Sequence, residues 1–229
     1  MKEAIVLLSG GMDSAVALYM AGKDHRCHAL TFDYGQKASR ETECARQISS
    51  EAGCGLTSMR IELPWKGSAV LRGGGDIPSG GISAEGVIPA TYVPARNMIF
   101  LSYAVSFAEA RGAEAVFIGA HQLDFSNYPD CRGVFFESFR ETVRTGTKKG
   151  SEGRPVRIET PVLDKTKKEI VEAGSALGVP FELTWSCYSS MERPCGECES
   201  CLLRSRAFAE AGIEDPLSAG SREARAGRM

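Results

Sequence analysis

Short apolar runs alternate along the chain with longer segments whose apolar residues recur at the spacing of a helix face. The short runs predict strands at Ala4–Leu8, His28–Asp33, Thr57–Leu63, Ala115–Ile118 and Val156–Glu159. The periodic segments predict helices at Ser14–Ala21, Ser39–Ala52, Met98–Arg111, Phe135–Arg144 and Lys165–Leu177. This order is typical of an α/β fold, a doubly wound parallel sheet of the Rossmann-like kind. Such sheets bind ligands beyond the carboxyl ends of their strands.

Composition and charge argue against two classes of protein. The 229 residues carry a net charge of −2 and contain no basic tract, so we expect no direct binding to nucleic acid. No window approaches the roughly 18 apolar residues of a membrane span. The apolar run Ala4–Leu8 is also too short for the core of a signal peptide. We therefore expect a cytoplasmic protein, whose eight cysteines bind a metal or take part in chemistry rather than forming disulfides.

Changes of composition suggest three parts of the chain. Residues 1–184 contain the alternating strands and helices and form the predicted main domain, residues 185–217 contain a cysteine cluster, and residues 218–229 resemble a flexible tail. Residues 64–92 are rich in glycine and interrupt the pattern. A loop of that length is either functional, here a lid over the substrate, or a disordered insertion.

The first polar motif is Ser-Gly-Gly-Met-Asp-Ser at residues 9–14, directly after the first strand. A glycine-rich turn before a helix presents free backbone N–H groups, which suit a phosphate. Asp13 would repel a phosphate unless it binds Mg²⁺ or caps the helix. The motif is neither a Walker A loop nor G-x-G-x-x-G. The alternative is a plain tight turn in which Asp13 caps the helix.

Four cysteines lie within a short C-terminal segment, at Cys187, Cys195, Cys198 and Cys201. Four thiolates at this spacing predict a closed, structural Zn²⁺ site. An iron–sulfur cluster is the rival, although a fourth cysteine and a proline do not follow at the ferredoxin spacing. Because a helix cannot direct three residues at this spacing to one point, Cys195 and Cys198 should lie on a turn, with Cys201 opening a helix that runs through Arg206.

Two further motifs follow predicted strands or begin a predicted helix. Arg96 and Asn97, at the start of a helix, could hold a carboxylate or phosphate, or could form an ordinary helix start. The segment Asp124–Arg132 combines two carboxylates, an aromatic residue, Cys131 and a guanidinium group. A carboxylate can read the N–H edge of a guanine-like base and an aromatic ring can stack on it. A polar loop is the alternative, and Cys131 is better explained as a packed thiol than as a nucleophile.

The hexapeptide at residues 9–14 resembles the PP-loop of N-type ATP pyrophosphatases, which cleave ATP to AMP and pyrophosphate. The whole chain is similar to the 7-cyano-7-deazaguanine synthases of queuosine biosynthesis. The matching motifs are SGGMDS (9–14), FDYGQ (32–36), YVPARN (92–97), DFSNYPDCR (124–132), ETP (159–161) and the four cysteines. The resemblance implies an adenine nucleotide alpha hydrolase-like fold. It also implies that 7-carboxy-7-deazaguanine and ammonia form a nitrile through an adenylated acid and an adenylated amide.

The resemblance also implies roles for particular residues. ATP and Mg²⁺ would contact Leu8, Ser9, Gly10, Gly11, Met12, Asp13, Ser14, Ala15, Val16, Ala17 and Leu18. Asp13, Ser14, Arg96 and Lys165 are the catalytic candidates. The substrate candidates are Tyr34, Gln36, Arg96, Asn97, Asp124, Tyr128, Asp130 and Arg132. The chain has no room for a glutaminase domain, so we expect free ammonia as the nitrogen donor, and a homodimer agrees with the family.

Two positions depart from the family pattern. Ala38 stands where the family usually has histidine, and His121 is a candidate to compensate. Ala95 stands where the family usually has glycine, which predicts that the turn before Arg96 needs no positive φ.

The rival functions are a PP-loop tRNA sulfurtransferase, another PP-loop ammonia-dependent ligase, or a zinc-ribbon binding module. The negative net charge and the closed cysteine spacing disfavour the sulfurtransferase.

Overall fold

The computed structural model describes residues 1–65, 67–82, 86–122 and 128–218. Within these ranges, five parallel strands form one sheet in the order β3-β2-β1-β4-β5. From β1, the strands β2 and β3 extend the sheet on one side, and β4 and β5 extend it on the other. A crevice forms beyond the carboxyl ends of the central strands where this order changes sides. The predicted doubly wound parallel sheet is therefore confirmed.

The strands and the predicted helices up to Leu177 agree with the predictions to within three residues at each end. The last helix, predicted to run from Cys201 through Arg206, ends five residues later at Ala211. The strands are β1 (Lys2–Leu7), β2 (His25–Asp33), β3 (Gly55–Arg60), β4 (Ala115–Ile118) and β5 (Arg157–Glu159). The helices are α1 (Met12–Ala21), α2 (Arg40–Glu51), α3 (Arg96–Arg111), α4 (Gly133–Gly146), α5 (Lys148–Ser151), α6 (Lys167–Ala176) and α7 (Glu199–Ala211). The sequence did not indicate α5, a single turn too short to show a helical period.

The sheet separates two hydrophobic cores, and β1 shows why. Successive side chains of a strand point to opposite faces, so Ala4 and Val6 pack against α1, α2, α6 and α7, whereas Ile5 and Leu7 pack against α3 and α4. All four are buried. A central strand apolar on both faces is expected when helices cover both sides of a parallel sheet.

The C-terminal cysteine segment packs in the same core as α1 and α2. Trp185, only 1% exposed, anchors it. None of the helices in the described ranges is long and apolar enough to cross a membrane.

Candidate active site

A cavity of about 270 Å³ opens beyond the carboxyl ends of β1, β2 and β4. Its walls come from the segment after β1, the end of β2, the starts of α2 and α3, and the cysteine segment. The polar residues that line it include Ser9, Asp13, Ser14, Tyr34, Gln36, Glu41, Thr91, Arg96, Asn97, His121, Tyr128, Lys167 and Tyr188. Predicted residues from the phosphate loop, the end of β2 and the start of α3 therefore border one cavity, although they are far apart in the sequence. Four predicted ATP contacts on α1 do not, because the fold buries them outside its lining: Ala15, Val16, Ala17 and Leu18.

The predicted phosphate loop is held in shape by its two serines. The Ser14 hydroxyl accepts a hydrogen bond from the Ser9 N–H at 3.2 Å and donates one to the Gly11 carbonyl at 2.9 Å. Helix α1 begins directly after Gly11, which gives no side-chain cap. The first N–H groups of α1 therefore face the cavity, where an anion can accept them.

Two glycines allow this loop to pack closely. Gly10 has a φ of +94°, and a Cβ added there would lie 2.1 Å from the carbonyl oxygen of Glu41. Gly119, which follows β4, has the same role on the other side, because a Cβ there would lie 2.6 Å from the Asp13 carbonyl oxygen. Only glycine permits such close approach of two backbones. Gly119 was not recognised from the sequence.

Asp13 is surrounded by positive groups. Its Oδ2 accepts a hydrogen bond from Lys167 Nζ at 2.5 Å and lies 3.8 Å from His121 Nε2. Burial would raise the pKa of Asp13, but the charge of Lys167, helped by His121, outweighs it and holds that pKa below its usual value. Among the described residues, nothing hydrogen-bonds the buried Asp13 Oδ1. A free carboxylate oxygen beside a phosphate loop suits Mg²⁺.

The two lysines near α6 differ in their placement. Lys165, the predicted catalytic lysine, lies outside the lining of the cavity, whereas Lys167 lies within it. Thr166 caps α6 in a capping box with Glu169, so Lys167 is the first residue of the helix. The Thr-x-x-Glu pattern was the signal in the sequence that could have separated the two lysines.

Arg96 extends from the start of α3 to the end of β2. Its guanidinium donates to the Tyr34 hydroxyl at 3.0 Å and lies 5.8 Å from the centre of that ring. Gln36 is used locally, because its side chain accepts from the Tyr34 N–H and donates to the Phe32 carbonyl. Burial raises the pKa of Tyr34, so its hydroxyl is protonated at neutral pH. Arg96 therefore supplies the fixed positive charge on this wall.

Asp130 has a structural position rather than a place in the cavity lining. It is buried, and its carboxylate accepts the Asn97 N–H at 2.9 Å at the start of α3. The Asn97 amide in turn donates to the Asp130 carbonyl and to Cys131 Sγ. Burial raises the pKa of Cys131 to about 12, which agrees with a packed, protonated thiol. Arg132 is exposed, and Asp124 lies outside the described residues.

The prediction for Ala95 is wrong. Ala95 has a φ of 54° and a ψ of 26°, in the left-handed region. The Tyr92 hydroxyl accepts the Ala95 N–H at 3.0 Å, and the Arg96 N–H donates to the Val93 carbonyl. These contacts fix the turn, so the chain keeps the positive φ even without glycine. The other departure, Ala38, lines the same cavity as His121, so compensation by His121 stays a prediction.

Glu41 and Tyr188 are two further cavity residues that were missed in the sequence. Glu41, in the first turn of α2, lines the wall beside the phosphate loop. Burial raises its pKa to about 7, and Arg96 opposes the rise. Tyr188, from the cysteine segment, also has a pKa raised by burial. Glu41 follows directly on the polar segment after β2, and that position was the available signal.

The four predicted metal ligands come together. The sulfur atoms of the four cysteines all lie within 4.8 Å of one another and could hold a metal ion. Gly196 has a φ of 77° and Cys198 directly precedes α7, so Cys195 and Cys198 lie on a turn as predicted. The helix begins at Glu199, slightly before Cys201. Backbone N–H groups of Cys195 and Cys198 donate to the sulfurs of Cys187 and Cys195, each at 3.3 Å.

The cysteine segment is joined to the phosphate loop and to residues 64–92. The Trp185 N–H donates to the Gly10 carbonyl at 2.9 Å, and its indole N–H donates to the Cys187 carbonyl at 3.0 Å. In residues 64–92, Ser79 pairs with Cys198, and Val70 lines the cavity. Val70 and Thr91 of this segment thus contribute to the wall of the site.

Comparison with known proteins shows the family of this chain. The family described as "Queuosine biosynthesis protein QueC" matches residues 3–212. This chain belongs to that family. A 7-cyano-7-deazaguanine synthase of Nostoc punctiforme is 46% identical over 220 residues, covering 94% of this chain and 98% of the relative. A protein of the same name from Clostridium kluyveri is 45% identical over 222 residues, covering 95% of this chain and 97% of the relative.

Two solved structures outside this family resemble the chain at low identity. The NMN synthetase of Francisella tularensis is 14% identical with a TM-score of 0.46, covering 93% of this chain and 78% of that one. The U34-tRNA thiolase NcsA of Methanococcus maripaludis, with its 4Fe–4S cluster, is 16% identical with a TM-score of 0.47, covering 91% and 65%.

Proposed function

We propose that this chain is a 7-cyano-7-deazaguanine synthase, which uses ATP to convert 7-carboxy-7-deazaguanine and ammonia to the nitrile. The observation that carries the proposal is the match to relatives of that name along nearly the whole of both chains. The cavity supports it, because a phosphate loop and a fixed guanidinium border one cavity. In this reaction ATP adenylates the acid, ammonia displaces AMP to give the amide, and a second adenylation allows loss of AMP to leave the nitrile.

The residues of the cavity divide between ATP and the acid. The Ser9–Ser14 loop binds the ATP phosphates, with Lys167 rather than Lys165 as the lysine beside them. Asp13 would hold Mg²⁺ through its unpaired Oδ1, and that ion would neutralise phosphate charge. Arg96 is suited to the carboxylate of the acid, and Tyr34 and Tyr128 offer aromatic surface to its base.

The four cysteines are proposed to bind Zn²⁺ as a closed structural site. Four sulfurs at mutual distances below 4.8 Å agree with tetrahedral thiolate coordination. Through Trp185, this site would hold the phosphate loop in place. The homodimer and the cytoplasmic location stay predictions.

The test is incubation of the purified chain with Mg-ATP, ammonium and 7-carboxy-7-deazaguanine, followed by mass spectrometry. We expect nitrile, with twice as much AMP as nitrile, and none of either from Asp13→Asn. Formation of AMP without nitrile would support the assignment of the phosphate loop but contradict the proposed substrate. That result is expected if the chain is another ammonia-dependent ligase. No ATP cleavage with this acid would overturn the proposal.

A further inference from the structure

Glu41 lies beside the place where the chemistry of the proposed function would occur. It belongs to the first turn of α2, whose backbone is in contact with the phosphate loop, since a Cβ on Gly10 would lie 2.1 Å from the Glu41 carbonyl oxygen. Glu41 lines the cavity together with Arg96 and Tyr34 and interacts electrostatically with both. Glu41 thus borders the same cavity as the groups suited to phosphate and the group suited to the acid.

The carboxylate of Glu41 lies in the first turn of α2, where negative charge favours a helix, and Arg96 is its positive neighbour. In the described ranges, no hydrogen bond or ion pair engages it, although it is half-buried. A desolvated carboxylate whose oxygens accept no hydrogen bond costs stability, so its place in a cavity suits a ligand. The ligand must be a cation or a hydrogen-bond donor, because an ionised carboxylate only accepts hydrogen bonds.

The surroundings of Glu41 set its charge. Arg96 faces it from α3, Tyr34 from the end of β2 and Tyr188 from the cysteine segment, while Cys44 follows it on α2. Burial raises the pKa of Glu41 to about 7, with Arg96 lowering it. At neutral pH the group can therefore both give and take a proton, which is the property of an efficient general base.

The proposed reaction needs such a base at one step. The nitrogen donor is present at neutral pH mainly as ammonium, which has no lone pair with which to attack a carbonyl carbon. We propose that Glu41 binds ammonium beside the phosphate loop and accepts the proton that releases ammonia for attack on the adenylated acid. This assignment rests on the proposed function and adds the residue that handles its nitrogen donor.

The step balances in atoms and charge. Ammonium gives one proton to the Glu41 carboxylate, and the ammonia lone pair forms the C–N bond to the acyl carbon. The C–O bond to AMP then breaks, and the AMP phosphate oxygen keeps the electron pair. A second N–H proton leaves the former ammonia nitrogen for water, which gives the neutral amide. The carboxyl of Glu41 returns its proton to water.

The test separates the two half-steps in the metal-loaded chain, with Glu41→Gln as the variant. Glu43→Gln is the matched control, because Glu43 lies on the same helix but is exposed and paired with Arg46. Exchange of pyrophosphate into ATP, with 7-carboxy-7-deazaguanine and no ammonium, reports adenylation. Product formation in a single turnover at pH 7 is then compared for ammonium and for hydroxylamine, a nucleophile that is already neutral there.

We expect E41Q to lower the rate with ammonium by roughly 10²- to 10⁴-fold, the usual contribution of a general base. Its rate with hydroxylamine should fall far less, its pyrophosphate exchange should remain, and E43Q should resemble the unaltered chain. Three results for E41Q would overturn the assignment of Glu41 but not the proposed function: equal losses of rate with both nucleophiles, no loss of rate with either, or loss of pyrophosphate exchange. If the unaltered chain shows no exchange with this acid, the proposed function fails and the assignment falls with it.

Discussion

Ala95 allows a sharp test of the backbone before Arg96. Its φ of 54° and ψ of 26° place a residue with a Cβ in the left-handed region, which costs roughly 1–2 kcal/mol relative to the right-handed one. Glycine removes this cost. It also loses more chain entropy on folding, by roughly 0.5–1 kcal/mol relative to alanine.

The matched control is Ala110→Gly, an exposed position on the same helix with ordinary helical geometry. Both variants lose the same methyl group and gain the same freedom in the unfolded chain, so their difference isolates the left-handed backbone. We expect A110G to lower the free energy of unfolding by roughly 0.5–1 kcal/mol. A95G should be more stable than A110G by about 1–2 kcal/mol.

Urea unfolding, with metal content equal in all samples, measures the two free energies. Thermal unfolding offers a second measure, since about 1 kcal/mol shifts Tm by roughly 2–4 °C in a chain of this size. Equal destabilisation by A95G and A110G would show that Ala95 carries no strain and would refute the left-handed assignment. A larger loss in A95G would refute it more strongly.

Three further predictions concern the site. Lys167→Ala should lower pyrophosphate exchange by about 10²-fold, more than Lys165→Ala, because only Lys167 borders the cavity; the reverse order would contradict the placement. Gly10→Ala should lower the free energy of unfolding by about 2–5 kcal/mol and Gly53→Ala by about 1–2 kcal/mol. Both glycines have a positive φ, but only at Gly10 would a Cβ collide with the Glu41 backbone. Equal losses of unfolding free energy in urea would contradict this prediction. Cys201→Ser should reduce zinc content and melting temperature relative to Cys54→Ser, measured by elemental analysis and calorimetry; iron in the unaltered chain would refute the zinc assignment.

The periodicity of the sequence was enough to determine the order of strands and helices and hence the parallel sheet. Alternation such as that of β1, with Ala4 and Val6 opposed to Ile5 and Leu7, is a local property that survives in the fold because both faces are covered. The phosphate loop and the cysteine spacing were equally readable, since each is a short segment whose geometry depends mainly on its own residues.

Tertiary structure alone decided the features that depend on neighbours distant in the chain. Lys167 reaches Asp13 because α6 packs beside α1. The Thr-x-x-Glu pattern places Lys167 first in its helix, but it does not encode the contact with Asp13. Glu41 has an unusual pKa only because its surroundings remove water from it. Ala95 is left-handed because contacts with Tyr92 and Val93 constrain the turn, whatever alanine prefers by itself. Local patterns determine what a segment can form, whereas burial and long-range contacts determine charge, strain and which of two neighbouring lysines enters the site.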